Sequence, residues 1–314
     1  MNNYPFNLIR YSNKGQLEDK SLLTKRPFSD IDRSFEADAK KFVPGDQLEA
    51  AINTAIAVGE PLLITGEPGT GKTQAPYYAA WKLGINPLIH FQVKSSSTAG
   101  DLLYHFDTVR YFHDAHMLKL KDNNTAKDLN KKDYVEPRAL WQAFQMSETT
   151  GTPCVLLIDE IDKAPRDFPN DLLHELDKME FFIPETEQTI SAERKIRPIV
   201  FITSNSERRL PEPFLRRCVY HHIRFDDTIV EKAVQARKNE FGNLNDDFLK
   251  MAVQRFLALR ERGLRKQPAT GELLVWLRVL AMAVGTYPER LYDDLSKLPY
   301  LGTLLKDHQD IEEL

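Results

Sequence analysis

Gly66-Glu67-Pro68-Gly69-Thr70-Gly71-Lys72-Thr73 directly follows the apolar run Leu62-Leu63-Ile64 and directly precedes a stretch of helical pattern. It fits G-x-x-x-x-G-K-S/T in the strand-to-helix setting that gives this pattern its meaning. Glycines let the backbone curl into a nest whose N–H groups face phosphate oxygens. Lys72 has the reach for β and γ oxygens, and the Thr73 hydroxyl suits a Mg²⁺ ion. The stretch therefore predicts a loop that holds a nucleoside triphosphate.

Working outward, short apolar runs at residues 62–64, 88–91, 155–158, 199–202 and 219–223 alternate with helical patterns. Buried strands joined by helical crossovers predict a parallel α/β sheet of five strands. Upstream, Leu48, Ala51, Ile52, Ala55 and Ile56 keep helical spacing until Gly59 supplies a stop. Two segments break the alternation. Residues 106–136 are polar and lysine-rich, and residues 181–197 place Pro184-Glu185-Thr186-Glu187 between two extended stretches, which predicts a β-hairpin. Beyond Phe225, the series Phe248, Ala252, Phe256, Leu259 and then Leu273, Leu277, Leu280, Val284 is helical and no strand pattern follows. This predicts an irregular arm over 1–41, an α/β nucleotide-binding domain over 42–225 and a small helical domain over 226–314.

The composition fits that plan. With 314 residues, 42% hydrophobic and 28% charged, the chain is long enough for about two domains and too apolar for disorder. A net charge of -4 gives no global positive field to draw it onto nucleic acid or an anionic membrane. No secretory leader is legible, and the longest apolar stretch, 273–287, contains Arg278 and is too short to span a bilayer. A cytoplasmic protein without membrane partners is expected. Cys154 and Cys218 are too few for a disulfide framework or a tetrahedral metal site and are expected to be reduced thiols.

A second chemical signal is Cys154-Val-Leu-Leu-Ile-Asp159-Glu160-Ile-Asp162, an apolar strand delivering carboxylates at its C-terminal end, where α/β ligand sites form. Asp159 suits the Mg²⁺ shell, and Glu160 suits a base that polarises water for attack on the γ-phosphate. A third strand ends in Thr203-Ser204-Asn205, whose amide suits orientation of that water. A fourth segment, Leu210-Pro-Glu-Pro-Phe-Leu-Arg216-Arg217-Cys218, puts two arginines at the end of a short helix.

These four elements in this order resemble the AAA+ ATPases, most closely the MoxR-like branch, from about Phe42 to the C-terminus. The resemblance implies a P-loop NTPase fold of ASCE type with a helix-2 insert, here 106–136, and a pre-sensor-1 hairpin, here 181–197. It also implies a C-terminal α-helical lid. By the same resemblance Glu160 is catalytic, Asn205 falls on sensor 1 and Arg217 on the arginine finger, with Arg216 as the neighbouring alternative. Phe42 and Val43 occupy the stretch that touches adenine, and Gly66 to Thr73 with Asp159 make the ATP and Mg²⁺ site. The family assembles as a ring, usually a hexamer, and often acts with a von Willebrand factor A domain partner on a protein client in chaperone-like maturation or metal insertion. One departure stands out. Where relatives carry a sensor 2 arginine, this chain reads Gln267-Pro268-Ala269-Thr270-Gly271-Glu272, with Arg265 and Lys266 as the nearest upstream cations.

Two other readings compete: a nucleic-acid motor or loader, which the net charge disfavours, and a nucleotide-dependent binding switch with negligible turnover, which Glu160 and Arg217 disfavour. Asn130-Lys131-Lys132-Asp133 spells a guanine-reading motif, but no apolar strand precedes it and it lies before the Asp159 strand. His221 and His222 alternate in direction along a strand and so suit no shared metal. The lysines of 119–132 are interleaved with aspartates and asparagines, without an aromatic stacking ladder, so a solvated loop is expected there rather than a nucleic-acid surface.

Overall fold

The computed structural model describes residues 34–120, 129–242, 244–283, 291 and 294–314, without the side chains of 119 and 120. Most of the expected arm, Val284 and much of the lysine-rich segment lie outside the described residues. By contact the chain divides into two units: residues 45–66 with 72–223, and residues 67–71 and 224–314 with the described part of 1–44.

In chain order, the helices are α1 (Phe35–Ala39), α2 (Asp46–Val58), α3 (Gln74–Leu83), α4 (Gly100–Leu103), α5 (Thr108–Leu120), α6 (Ala139–Thr150), α7 (Phe168–Asp171), α8 (Leu173–Lys178), α9 (Glu212–Leu215), α10 (Asp227–Ala236), α11 (Asp246–Arg260), α12 (Thr270–Met282) and α13 (His308–Glu312). The strands are β1 (Leu62–Gly66), β2 (Ile89–Gln92), β3 (Tyr104–Phe106), β4 (Val135–Pro137), β5 (Val155–Asp159), β6 (Glu180–Ile183), β7 (Gln188–Ser191), β8 (Ile199–Ser204) and β9 (Val219–Ile223).

Five strands form one parallel sheet in the order β2-β5-β8-β1-β9. β1 and β5 are buried along their whole length, which is why they read as continuous apolar runs and not as alternating ones. Leu63, Leu156, Ile158 and Ile202 pack with Phe144, Phe168 and Phe214 in one core, each burial contributing about 1.5–3 kcal/mol. Pairing Leu63 with Ile202 and Leu157 with Phe201 brings the C-terminal ends of β1, β5 and β8 level. Helix α2 ends at Gly59 in the left-handed conformation, the stop that the pattern predicted.

The hairpin is present as antiparallel β6 and β7, with Ile183 opposite Gln188. The segment 106–136, read from the sequence as a polar, lysine-rich insert, is described in part. It opens with the 13-residue helix α5, and β3 pairs antiparallel with β4 at its base. Tyr104 on β3 stacks on Phe181 and donates a 2.9 Å hydrogen bond to Glu185 in the hairpin turn, so insert and hairpin are joined.

The other unit has its own core. Trp276, Phe256, Leu273, Leu277, Phe241 and Leu249 are buried together, and Trp276 Nε1 donates to Pro299 O at 2.7 Å. The segment leading to residue 44 belongs here. Glu240, almost buried, pairs with Lys41 at 2.8 Å and with Arg278 at 2.7 Å, while Arg237 donates to Lys41 O at 3.1 Å. No helix among the described residues is long and apolar enough to cross a membrane.

Candidate active site

The C-terminal ends of the parallel strands gather the polar residues of the α/β unit. Lys72 is buried, and its Nζ donates to Gly66 O at 2.9 Å, across the opening of the loop that β1 feeds. The Thr73 hydroxyl donates to Asp159 Oδ1 at 3.0 Å. Asp159 is also bonded by the Thr203 hydroxyl, and His90 Nε2 lies 3.4 Å from its other oxygen. Burial, the largest influence, pushes the Asp159 carboxyl up, but the bonds from His90, Thr203 and Thr73 outweigh it and hold the group below the usual carboxylate range. It is therefore a carboxylate at neutral pH. A hydroxyl and an ionised carboxylate side by side are hard oxygen donors of the kind Mg²⁺ takes while keeping waters and phosphate oxygens for its other positions.

Glu160 follows at once in the left-handed conformation, φ 59°, an uncommon state for a residue with a side chain. Its N–H donates to Thr203 Oγ1 at 2.8 Å, which holds that turn. The carboxylate is engaged on both oxygens: Asn205 Nδ2 reaches Oε1 at 3.2 Å, and Gln92 Nε2 reaches Oε2 at 2.7 Å, where the Lys163 ammonium also bonds. That contact raises the Lys163 pKa. Asn205 is itself fixed. Asp162, 3% exposed, accepts the N–H of Asn205 at 3.2 Å and of Glu207 at 2.9 Å. The arrangement is a water-accessible carboxylate beside an amide, next to a buried ammonium and an ionised aspartate. Such a set can bind phosphate, hold a cation and direct a water.

The tip of the loop, Glu67 to Gly71, groups with the helical unit. Gly71 has φ +92°, and a Cβ there would stand 2.6 Å from the Phe42 ring. Gly69 has φ +76°, and its Cβ would stand 2.5 Å from the Ala269 methyl. Both positions exclude a side chain by conformation and by space. Thr70 turns back on Glu67 O at 2.8 Å, and Pro68 is exposed. Phe42 thus lies against the loop, and Val43 beside it is half-buried.

The remaining expected residues fall elsewhere. Arg216 and Arg217 follow α9 and are exposed, with Arg217 Nη1 donating to Pro213 O at 3.3 Å. Arg265 is turned to α13, where its side chain bonds Gln309 and lies 3.8 Å from Glu313, and Lys266 is exposed. Asn130 accepts from Lys132 N at 3.1 Å as the cap of a short helical turn. His222 meets the Thr65 hydroxyl at 2.9 Å. A cavity of about 520 Å³ lies at the N-terminal ends of β1, β5 and β8, bordered by Pro61, Pro153 and Pro198, away from Lys72 and Asp159.

Sequence reasoning quoted Thr203 without a role and passed over Gln92, Lys163 and the anchoring role of Asp162. The only signal for Gln92 and Thr203 was a polar residue at the end of an apolar strand.

Residues 61–218 match the model of the AAA domain, dynein-related subfamily. No curated protein matches the chain in sequence. In three dimensions the chain is similar to a crystal structure of a candidate ATPase from Cytophaga hutchinsonii, at 16% identity and a TM-score of 0.40, over 89% of this chain and 82% of that one. It is also similar to NtrX from Brucella abortus in complex with ADP, at 14% identity and a TM-score of 0.47, over 92% of this chain and 61% of that one.

Proposed function

The chain belongs to the AAA domain family in its dynein-related subfamily, and from that premise we propose that it is a Mg²⁺-dependent, MoxR-type AAA+ ATPase whose subunits hydrolyse ATP in a ring to remodel a protein client. The observation that carries the reading is the Glu160 carboxylate bonded to Asn205 at 3.2 Å, one residue beyond an ionised Asp159 that accepts from Thr73.

In this mechanism the loop amides and Lys72 bind the triphosphate. Thr73 and Asp159 would hold the Mg²⁺, which would supply positive charge to the phosphates. Glu160 takes the proton of the attacking water, and Asn205 orients that water. Gln92 and Lys163 both bond Oε2, so a water meets that oxygen only once one of them lets go. Arg217, exposed and without an acidic partner of its own among the described residues, supplies positive charge to the γ-phosphate of a neighbouring subunit. A hexamer and a von Willebrand factor A domain partner follow from the MoxR-like resemblance.

The experiment is the ATPase rate per subunit against protein concentration, for the wild type and Arg217→Ala, with and without DNA. The expected result is a rate that rises with concentration, is lost in Arg217→Ala while nucleotide binding persists, and ignores DNA. A rate flat in concentration and untouched by the substitution overturns the ring, and strong stimulation by DNA transfers the reading to a nucleic-acid motor.

A further inference from the structure

A lid cation is present at the phosphate loop, at a position different from the one the sequence pattern suggested. Arg260, the last residue of α11, is only 9% exposed. Its guanidinium lies over the Phe225 ring, 3.5 Å from the centroid, and bonds Pro268 O. Its Nη2 donates to Glu67 Oε2 at 2.9 Å. Arg265 is occupied on α13, so among the lid arginines near this stretch Arg260 is the one that meets the loop.

Glu67 brings a negative charge to the loop. It is the second residue of a loop whose chemistry is to attract a polyanion, and a carboxylate there repels one. A buried guanidinium is costly to desolvate and persists where ring face, carbonyl and carboxylate all engage it. The two charges offset each other. We propose that Arg260 is a positioning residue that acts through Glu67: it neutralises the loop carboxylate and turns it toward the lid, so that the net charge of these two side chains sets nucleotide affinity. The proposal rests on the reading of the loop as the ATP site. The lid's charge thereby reaches the phosphates indirectly, through the loop and not by a direct contact. Ala269, packed against Gly69 two residues along the loop, holds the lid at the distance this pair needs.

The test is a charge cycle read as the dissociation constant of a fluorescent ATP analogue, in Glu67→Gln, Arg260→Gln and the double variant, with Lys72→Ala as control. The expected results are about tenfold weaker binding in Arg260→Gln and severalfold tighter binding in Glu67→Gln, with the double variant within threefold of wild type. A merely structural arginine would not be rescued by removing a half-exposed carboxylate. Arg260→Gln weakness that Glu67→Gln does not reverse overturns the proposal, as does Glu67→Gln that leaves affinity unchanged. Glu67→Gln alone, on the exposed loop, decides the matter if Arg260→Gln fails to fold. Absence of binding in the wild type, or binding that survives Lys72→Ala, condemns the ATP site itself and is thus a separate result.

Discussion

Asp162 accepts the backbone N–H of Asn205 at 3.2 Å, so a carboxylate just past β5 fixes the residue that closes β8. The amide that meets Glu160 is therefore placed by a side chain that touches no reacting group. Replacing Asp162 with alanine strands two N–H groups, and a loss of about 2 kcal/mol in urea denaturation is expected. ATP turnover should fall together with that loss, whereas Asn205→Ala should lower turnover with little change in stability. Equal stability losses in both variants would contradict the anchoring role.

Glu160→Gln keeps the size of the side chain and removes the base. Turnover is expected to fall at least about a hundredfold while ATP affinity stays within a few-fold of wild type. Stopped-flow binding and steady-state hydrolysis on the same preparation separate the two. Undiminished hydrolysis would move the base elsewhere.

The helical unit carries a pH dependence. Burial pushes the Glu240 carboxyl up, but the bonds from Lys41 and Arg278 outweigh it and leave it below its usual 4.5. A carboxylate with a depressed folded value contributes stability that is complete above the unfolded value and is lost as pH falls through the folded one. The unit should therefore lose melting temperature below about pH 4.5. Glu240→Gln, which leaves Arg278 without its carboxylate, should cost about 3 kcal/mol at pH 7 and flatten that acid limb. An unchanged limb in the variant would assign it to other carboxylates.

Burial pushes the Cys154 thiol up to about 11 and the Cys218 thiol up to about 12, the latter with help from the Glu60 charge. Both are protonated at pH 8, and the thiolate is the reactive form. A disulfide reagent should label neither within minutes in the folded protein and both on unfolding in urea. Rapid labelling of Cys218 in the native state would show that its environment opens.

The central strands β1, β5 and β8 were legible because both faces of the sheet are covered there, which leaves unbroken apolar runs between turn residues. The edge strands β2 and β9 are only partly buried and mix polar with apolar residues. Helix α5 was not legible. Val109 and Phe112 lie exposed on it, so no single apolar stripe marks its buried side. Strands β3 and β4 have three residues each, too few to show alternation. At the site, Lys72, Thr73, Asp159 and Glu160 announced themselves by spacing along the chain. Gln92 and Thr203 meet Glu160 and Asp159 only because β2 and β8 flank β5, an adjacency that no local pattern encodes. Arg260 is not singled out by the sequence, since neither its burial nor its partner Glu67 is visible from neighbouring residues.

The bond between Tyr104 and Glu185 has a mechanical consequence. Gln92, on the Glu160 carboxylate, ends β2, and from there the chain runs through α4 to β3, where Tyr104 clamps the hairpin turn. Insert and hairpin are thereby yoked at one end to the strand that feels whether Glu160 is occupied. Tyr104→Phe would remove the bond to Glu185 while keeping the stack on Phe181, and so is expected to loosen the tie between insert and hairpin without severing it.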